Sequence, residues 1–455
     1  MKQEMLKQLF AMVDFYTLMC YTCLSLGGVN LEIDKYRDPI HGFIEVREHE
    51  NRIIGSAPFQ RLRNIKQLAM TYYIYHGAEH TRFGHSLGVM HLVTRAYRSA
   101  VQGFSNKFSE EKQKWHEQIL RLIALTHDIG HAPFSHASEG LFPEDKEEHE
   151  DYTVEIITNT EIADIINDIG KEFVEQFGEE YNITPKLICD IYTGKDSGPN
   201  SEFTFLKSFM DSELDCDKMD YLLRDSYYCG VKYGTYDVER LISSFTVCYK
   251  DDIPRSAIKS GGVQVFEEFV LARYFMFIQV YFHRTRRFFD IMLLKALSEV
   301  LPNGTYPSDV DEYLGWDDCR VIQLLKENAH DNIACRNIIQ RIVYPRVDST
   351  KAHPSDADKR IFKRNAKELK EKLGEEHFIT DMSAGKMPHK IPKRIEVDDE
   401  QAIVIFDEKT GKKTTISEES EIIKNLTEKI DILSLYCDPE CSEEAFDYIR
   451  KINEE

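Results

Sequence analysis

Half of the chain's 16 histidines fall in one stretch: His80, His85, His91, His116, His127, His131, His136 and His149. Imidazoles gathered near carboxylates are candidates for metal ligation or proton transfer. The densest string is Leu125-Thr-His127-Asp128-Ile-Gly130-His131-Ala-Pro-Phe-Ser-His136. Ile119–Thr126 is apolar enough for a buried helix, and His127 and Asp128 close it. Their polar heads need a partner, and one divalent cation satisfies both. His131 lies four residues beyond His127, on the same face if the helix continues. Gly130 and Pro133 predict a turn that carries His136 back towards the metal. Titratable residues this dense against an apolar run outweigh the blander alternative of surface histidines at a helix end.

Two further segments are needed to close such a site. Upstream, Arg82-Phe-Gly-His85 precedes a helical stretch over Leu87–Ala96, and Arg82 shares a face with His85 if that region is helical. Downstream, Asp215-Cys-Asp217-Lys218-Met-Asp220-Tyr221-Leu-Leu-Arg224-Asp225 packs charges of both signs into one helix. Alone it reads as a solvated face with i,i+4 pairs. Together the three segments spell H…HD…D: His85, His127-Asp128 and Asp217.

That spelling resembles the HD-domain metal-dependent phosphohydrolases. More narrowly it resembles the deoxynucleoside triphosphate triphosphohydrolases, the branch with the SAM-and-HD-domain enzyme and its bacterial relatives. The likeness covers roughly residues 36–300. It rests on linked strings in order: Asp38-Pro-Ile-His-Gly42, Phe59-Gln-Arg-Leu-Arg63, Ile65-Lys-Gln-Leu68, Arg82-Phe-Gly-His85-Ser-Leu-Gly88, His127-Asp-x-Gly-His131-x-Pro-Phe-Ser-His136 and Asp217-Lys-Met-Asp-Tyr221. The resemblance implies that His85, His127, Asp128 and Asp217 hold a divalent metal, with Mg, Mn, Fe, Zn and Ni all open. It implies cleavage between the α-phosphorus and the 5′ oxygen, giving a deoxynucleoside and inorganic triphosphate.

By the same resemblance His136 is the catalytic histidine. Glu139 stands where the family often has an Asp pairing with it, and His131 and His149 are further active-site histidines. Arg82, Lys218 and Arg273 match the triphosphate contacts, and Tyr221 matches a phosphate-contacting tyrosine. Gln67, Leu68 and Asp225 match contacts to the sugar, and Tyr281 an aromatic that excludes a 2′ hydroxyl. Phe277 and Phe282 stand where the animal enzyme has polar base contacts, so base preference stays open. At the guanine activator site, Gln60 and Arg63 are retained, while Gly55 and Asp34 stand where the animal enzyme has an Asp and a Lys. A nucleotide activator therefore stays open too. No SAM domain is expected before the match. Rival readings are another HD phosphohydrolase, such as a nucleotide phosphodiesterase or 5′-nucleotidase, and a catalytically silent nucleotide-sensing scaffold.

The elements that must position these residues are helical. Most of residues 48–300 read as helix, including Tyr152–Ile157 and the aromatic-rich Val263–Leu297. Strand-like stretches are few: His41–Val46, Thr71–Tyr75 and Ile403–Phe406. Composition shifts near 300, where Pro302-Asn-Gly304 and Pro307-Ser-Asp309 signal turns. Residues 402–406 and 414–416, flanking a Lys409-Thr-Gly-Lys412 turn, predict a β-hairpin, with Ser417 capping the following helix. The expectation is a mainly α protein. It has a leader of unclear role (1–30), an HD helical core (31–300) and a smaller α+β C-terminal part (301–455) that makes oligomer contacts.

The 455 residues allow two or three domains at roughly 100–200 residues each. With 42% hydrophobic and 30% charged residues, global disorder and collagen-like classes are excluded. A net charge of −21 makes a poor general binder of nucleic-acid backbone. The lysine-rich stretch around Lys386, Lys390, Lys393 and Arg394 reads as a solvated loop. Residues 9–27 are fairly apolar, but Asp14 interrupts them and no cleavage site follows, which favours a peripheral helix over a membrane span. Ten cysteines without framework spacing fit a reduced cytoplasmic protein. Cys20, Cys23, Cys437 and Cys441 read as ordinary thiols. Expected partners are a dNTP, a possible nucleotide activator and further copies of the chain in a dimer or tetramer, with no membrane.

Overall fold

A computed structural model describes residues 33–454 apart from 104–105, 196–201, 383–385, 388, 393, 398 and 400–401. The expectations for the leader, Cys20, Cys23 and Lys393 lie outside the described residues. The architecture is mainly α, with three small sheets.

Two helices form the centre. Arg82–Val101 and Glu110–Thr126 pack against each other and are buried along most of their length. Ser109 starts the second by accepting from the Lys112 backbone N–H, and Glu110 and Glu111 suit its positive end. The helix is fully buried from Trp115 to Thr126, so His127, at its C-terminal cap, is delivered into the interior. A third helix, Cys216–Cys229, crosses the first. Asp215 caps it by accepting from the Lys218 N–H, and Gly230 ends it in the left-handed region with φ of 70°. The crossing is close because Gly88 of the first helix faces Asp220 and Arg224 of the third.

A two-stranded sheet precedes the bundle: β1 (Ile33–Asp38) pairs antiparallel with β2 (Gly42–Arg47) through a tight turn. The expected strand at His41–Val46 is therefore present, one residue later and of the same length. The expected strand at Thr71–Tyr75 is not. Ala69–Tyr73 forms a 3₁₀ turn closed by Thr71 N–H to Leu68 O and Ile74 N–H to Thr71 O. Its aromatic run imitates a strand, but Tyr72 and Tyr73 instead pack on the helical core, where Tyr73 lies against Phe289.

Val263–Leu297 is helical in two pieces. Val263–Met276 runs into a wide π turn at Phe277–Tyr281, and Arg284–Val300 restarts after His283. The turn signals at Pro302 and Pro307 are realised, and Val310–Leu314, Asp318–Asn328 and Ile333–Ile339 continue the helical layer. A four-stranded sheet joins β3 (Phe245–Lys250), β4 (Ile253–Lys259), β7 (Val404–Phe406) and β8 (Lys413–Thr415), with β4 and β7 parallel. The β7–β8 pair is the expected hairpin. Its following helix is capped by Thr415, in a box with Glu418, rather than by Ser417, whose hydroxyl donates to Pro392 O. The third sheet orders β5 (Arg346–Ser349), β9 (Ser434–Cys437) and β6 (Phe378–Asp381) and packs on helix Asp356–Leu373. The main hydrophobic core is continuous from Ile44 to Tyr436.

Candidate active site

His85 sits in the first turn of Arg82–Val101, His127 at the end of Glu110–Thr126, and Asp217 in the first turn of Cys216–Cys229. Three helix ends thus converge. His85 Nε2 lies 2.9 Å from Asp217 Oδ1 and 3.5 Å from Asp128 Oδ2. His127 Nε2 lies 3.3 Å from Asp128 Oδ1 and 3.7 Å from Asp217 Oδ1. One donor atom from each of His85, His127 and Asp217 falls within 4.8 Å of the others.

Each imidazole is anchored from behind. His127 Nδ1 is 2.8 Å from Ala124 O, which makes Nδ1 the donor and leaves Nε2 a bare lone pair. That Nε2 is buried and has no hydrogen-bond partner. His85 Nδ1 is 2.8 Å from Asp220 Oδ2. Asp220 also meets His41 Nε2 at 2.6 Å and Arg224 at 2.7 and 3.0 Å, and Arg224 reaches Asp38 at 2.9 Å. Such outer partners set ring orientation and ligand basicity in metal sites. An orphaned buried lone pair within a mixed N/O donor set fits a divalent ion. Asp128 is within reach of the same point, but its Oδ2 also accepts from Arg82 Nη1 at 2.6 Å.

A second group lies beside the first. Glu139 Oε1 is 3.0 Å from both His131 Nδ1 and His149 Nδ1, and Glu139 Oε2 is 2.8 Å from His136 Nδ1. His131 and His149 stack at 3.7 Å. Burial alone would raise the Glu139 carboxyl, but the surrounding imidazoles hold it well below the usual carboxylate range. Burial pushes His131 down to about 3, aided by Arg82 and His149. Burial lowers His149 too, but the carboxylates of Glu139, Glu150 and Asp128 together outweigh this and raise it. The His136 side chain is 64% exposed, so it faces the open side of the group.

The remaining expected residues form two patches. In the first, Lys218 Nζ is 2.6 Å from Asp215 and Arg273 Nη1 is 3.2 Å from Glu213. Arg273 and Lys218 both act electrostatically on Tyr221, whose hydroxyl burial pushes up to about 12. In the second, Asp225 accepts from the Tyr281 hydroxyl at 2.6 Å and meets His80 Nε2 at 2.8 Å. The Gln67 N–H donates to His80 O, and Gln67 Oε1 is buried without a partner. Tyr221 and Tyr281 stand edge to face at 6.3 Å, joining the patches. Leu68 is buried at this edge of the core. Phe277 and Phe282 lie 5.9 Å apart beyond Tyr281.

Sequence reasoning gave no role to His41, Asp220, Arg224 or His80. The signal was present for two of them: Asp220 follows Asp217 by three residues and Arg224 follows Asp220 by four, the spacing of a helix-face pair.

Residues 82–204 match the HD domain, and residues 236–452 match the HD associated region. The chain is 37% identical over 264 residues to the uncharacterized protein YwfO of Bacillus subtilis, covering 58% of this chain and 54% of that protein. It is 32% identical over 277 residues to the deoxynucleoside triphosphate triphosphohydrolase SAMHD1 of Bos taurus, covering 57% of this chain and 46% of that protein. A crystal structure of a hypothetical protein from Aquifex aeolicus superposes with a TM-score of 0.73 at 31% identity, covering 92% of this chain and 100% of that one. The chain therefore belongs to the HD-domain phosphohydrolases, and it resembles the deoxynucleoside triphosphate triphosphohydrolases. It spans about half the length of the curated relatives it matches.

Proposed function

We propose that the protein hydrolyses deoxynucleoside triphosphates to a deoxynucleoside and inorganic triphosphate. The observation that carries this reading is the placement of Asp128. Its Oδ1 lies 3.3 Å from His127 of the metal-type group and 3.1 Å from His131 of the Glu139 group. Its Oδ2 accepts from Arg82. Metal-type donors, proton-transfer histidines and an anion-binding guanidinium meet at one carboxylate.

His85, His127, Asp128 and Asp217 would hold a divalent ion, which when bound acidifies water and polarises a phosphoryl oxygen. Water adds to the α-phosphorus and the bond to the 5′ oxygen breaks. His136 gives the departing 5′ oxygen its proton, since an alkoxide is a poor leaving group. Glu139 orients His136 through its Nδ1 at 2.8 Å, leaving Nε2 for the transfer. His131 and His149 hold Glu139 from the other side. Arg82, Lys218, Arg273 and Tyr221 take the triphosphate, with the guanidinium groups suited to bidentate contacts and the ammonium to a point charge. These cations supply local positive charge in a chain of net charge −21. Gln67, Leu68, Asp225 and Tyr281 take the sugar, and the buried free Gln67 Oε1 is an acceptor available to a hydroxyl. The substrate class is supported by the activity in the name of the Bos taurus relative.

The proposal extends to a cytoplasmic homo-oligomer of two or four chains, and the second-nucleotide arm of the test below decides whether a nucleotide activator takes part. No helix among the described residues is long and apolar enough to cross a membrane. The test is product analysis with each of the four dNTPs and with GTP, in Mg²⁺ and in Mn²⁺, with and without a second nucleotide. Nucleoside plus triphosphate is the expected result. Monophosphate or diphosphate would move the scissile bond and defeat this reading in favour of another HD phosphohydrolase. Absence of turnover in every condition would leave the silent scaffold. Sizing of the purified chain gives the subunit number.

A further inference from the structure

The loop that carries His136 is held in an unfavourable shape. Phe134 and Ser135 have φ of 60° and 55°, two consecutive left-handed residues that both bear side chains. Such backbone persists only where its surroundings over-determine it. The surroundings come from a segment far along the chain. Tyr306 N–H donates to Leu141 O at 2.9 Å, and its hydroxyl reaches Ser138 Oγ at 3.2 Å. The Tyr313 hydroxyl donates to Gly130 O at 2.8 Å. Asp318 closes the set: Oδ1 accepts from Phe134 N–H at 2.7 Å and Oδ2 from Lys66 N–H at 2.9 Å.

Asp318 is 4% exposed, so both of its contacts are shielded from water. One of them lies two residues before His136, and the other lies next to Gln67. Ser135 completes the link, because its hydroxyl donates to Lys66 O at 2.8 Å and accepts from Arg82 Nε at 2.9 Å. A side chain from the HD associated region thus ties the proton-donor loop to the sugar loop and to a phosphate-type arginine.

We propose that Tyr306–Asp318 is a brace for the catalytic loop and that Asp318 is a positioning residue for His136. The proposal rests on the catalytic reading of His136 above. Its physical content is rigidity: a displacement of about 1 Å in a proton donor costs a factor of about 100 in rate. The HD associated region then sets the geometry of the chemistry as well as any contacts between chains.

The test is Asp318→Asn in the full chain. The amide keeps the volume but points an NH₂ group at one of the two backbone donors. Hydrogen exchange is followed by mass spectrometry over peptides spanning 129–141 and 64–70. The expected result is faster exchange in those peptides with unchanged protection in Glu110–Thr126. The kcat for the preferred dNTP should fall about 10- to 100-fold, with KM within about threefold and Mn²⁺ affinity of the metal-free protein unchanged. Tyr313→Phe removes one hydroxyl of the same brace, and a smaller rise in exchange over 129–141 is expected. It carries the test if Asp318→Asn does not fold. Unchanged exchange in the variants would overturn the brace. Faster exchange with full kcat would overturn the positioning role. A wild-type protein without dNTP turnover would defeat the proposed function, and the exchange measurement would still decide the brace.

Discussion

Replacing Gly88 by alanine adds one methyl group to the middle of the Arg82–Val101 helix. On helix propensity alone the change stabilises by about 1 kcal/mol. The surroundings reverse the sign. A Cβ built on Gly88 overlaps the Asp220 carboxylate and falls 2.5 Å from Arg224 Nη2. Neither neighbour can swing into solvent, because Asp220 is 0% and Arg224 1% exposed. Forcing volume into a packed interior costs about 1–3 kcal/mol. Separating a buried ion pair costs about 3–5 kcal/mol more where it occurs. Taking the larger part of the first cost and part of the second, the net expectation is a loss of about 3 kcal/mol. Asp220 also anchors His85 Nδ1, so displacing it should weaken Mn²⁺ binding about 10- to 100-fold. The assay is equilibrium urea denaturation with isothermal titration of Mn²⁺ into the metal-free protein. Gly55→Ala is the control, because nothing lies within 4 Å of the added methyl there. That variant should match or exceed wild-type stability. If Gly88→Ala were as stable as Gly55→Ala and bound metal normally, the close crossing of these helices and its part in the metal site would be refuted.

Other expectations concern the site directly. His127→Ala and Asp217→Ala should each lose bound metal, measured by elemental analysis, and activity with it. His136→Ala should retain metal while kcat falls about 10²- to 10⁴-fold, the range for loss of a general acid. Saturating a folded metal site at 100 times Kd should stabilise the chain by about 2.7 kcal/mol, seen as a drop in melting temperature on chelation. Among the described cysteines, Cys319 is exposed and should be alkylated first by iodoacetamide in the native state. Cys189 and Cys437, buried and each pushed up to about 12 by that burial, should stay unmodified by peptide mapping.

The helical class and the His127–Asp128 pair were legible because their signals are local. An apolar run, a cap and a turn decide where a helix ends, and His127, Asp217 and His85 all sit at helix ends. The β7–β8 hairpin was legible for the same reason, through its turn residues. The aromatic pattern of Thr71–Tyr75 suits a strand, but its backbone closes on itself as a 3₁₀ turn and Tyr73 packs on Phe289, a residue far along the chain. The shell behind His85 depends on contacts such as His41 to Asp220, 179 residues apart. Asp318 lies 184 residues from Phe134 and reads in the sequence as an ordinary first-turn acid. Sequence by itself determined the candidates: residue type and local spacing grouped His127, Asp128, His131 and His136, and the ordered motifs of the family resemblance added His85, Asp217 and the proton-donor role of His136. Tertiary structure decided which buried groups orient them. Long-range packing chooses those partners, and no short spacing in the chain encodes it.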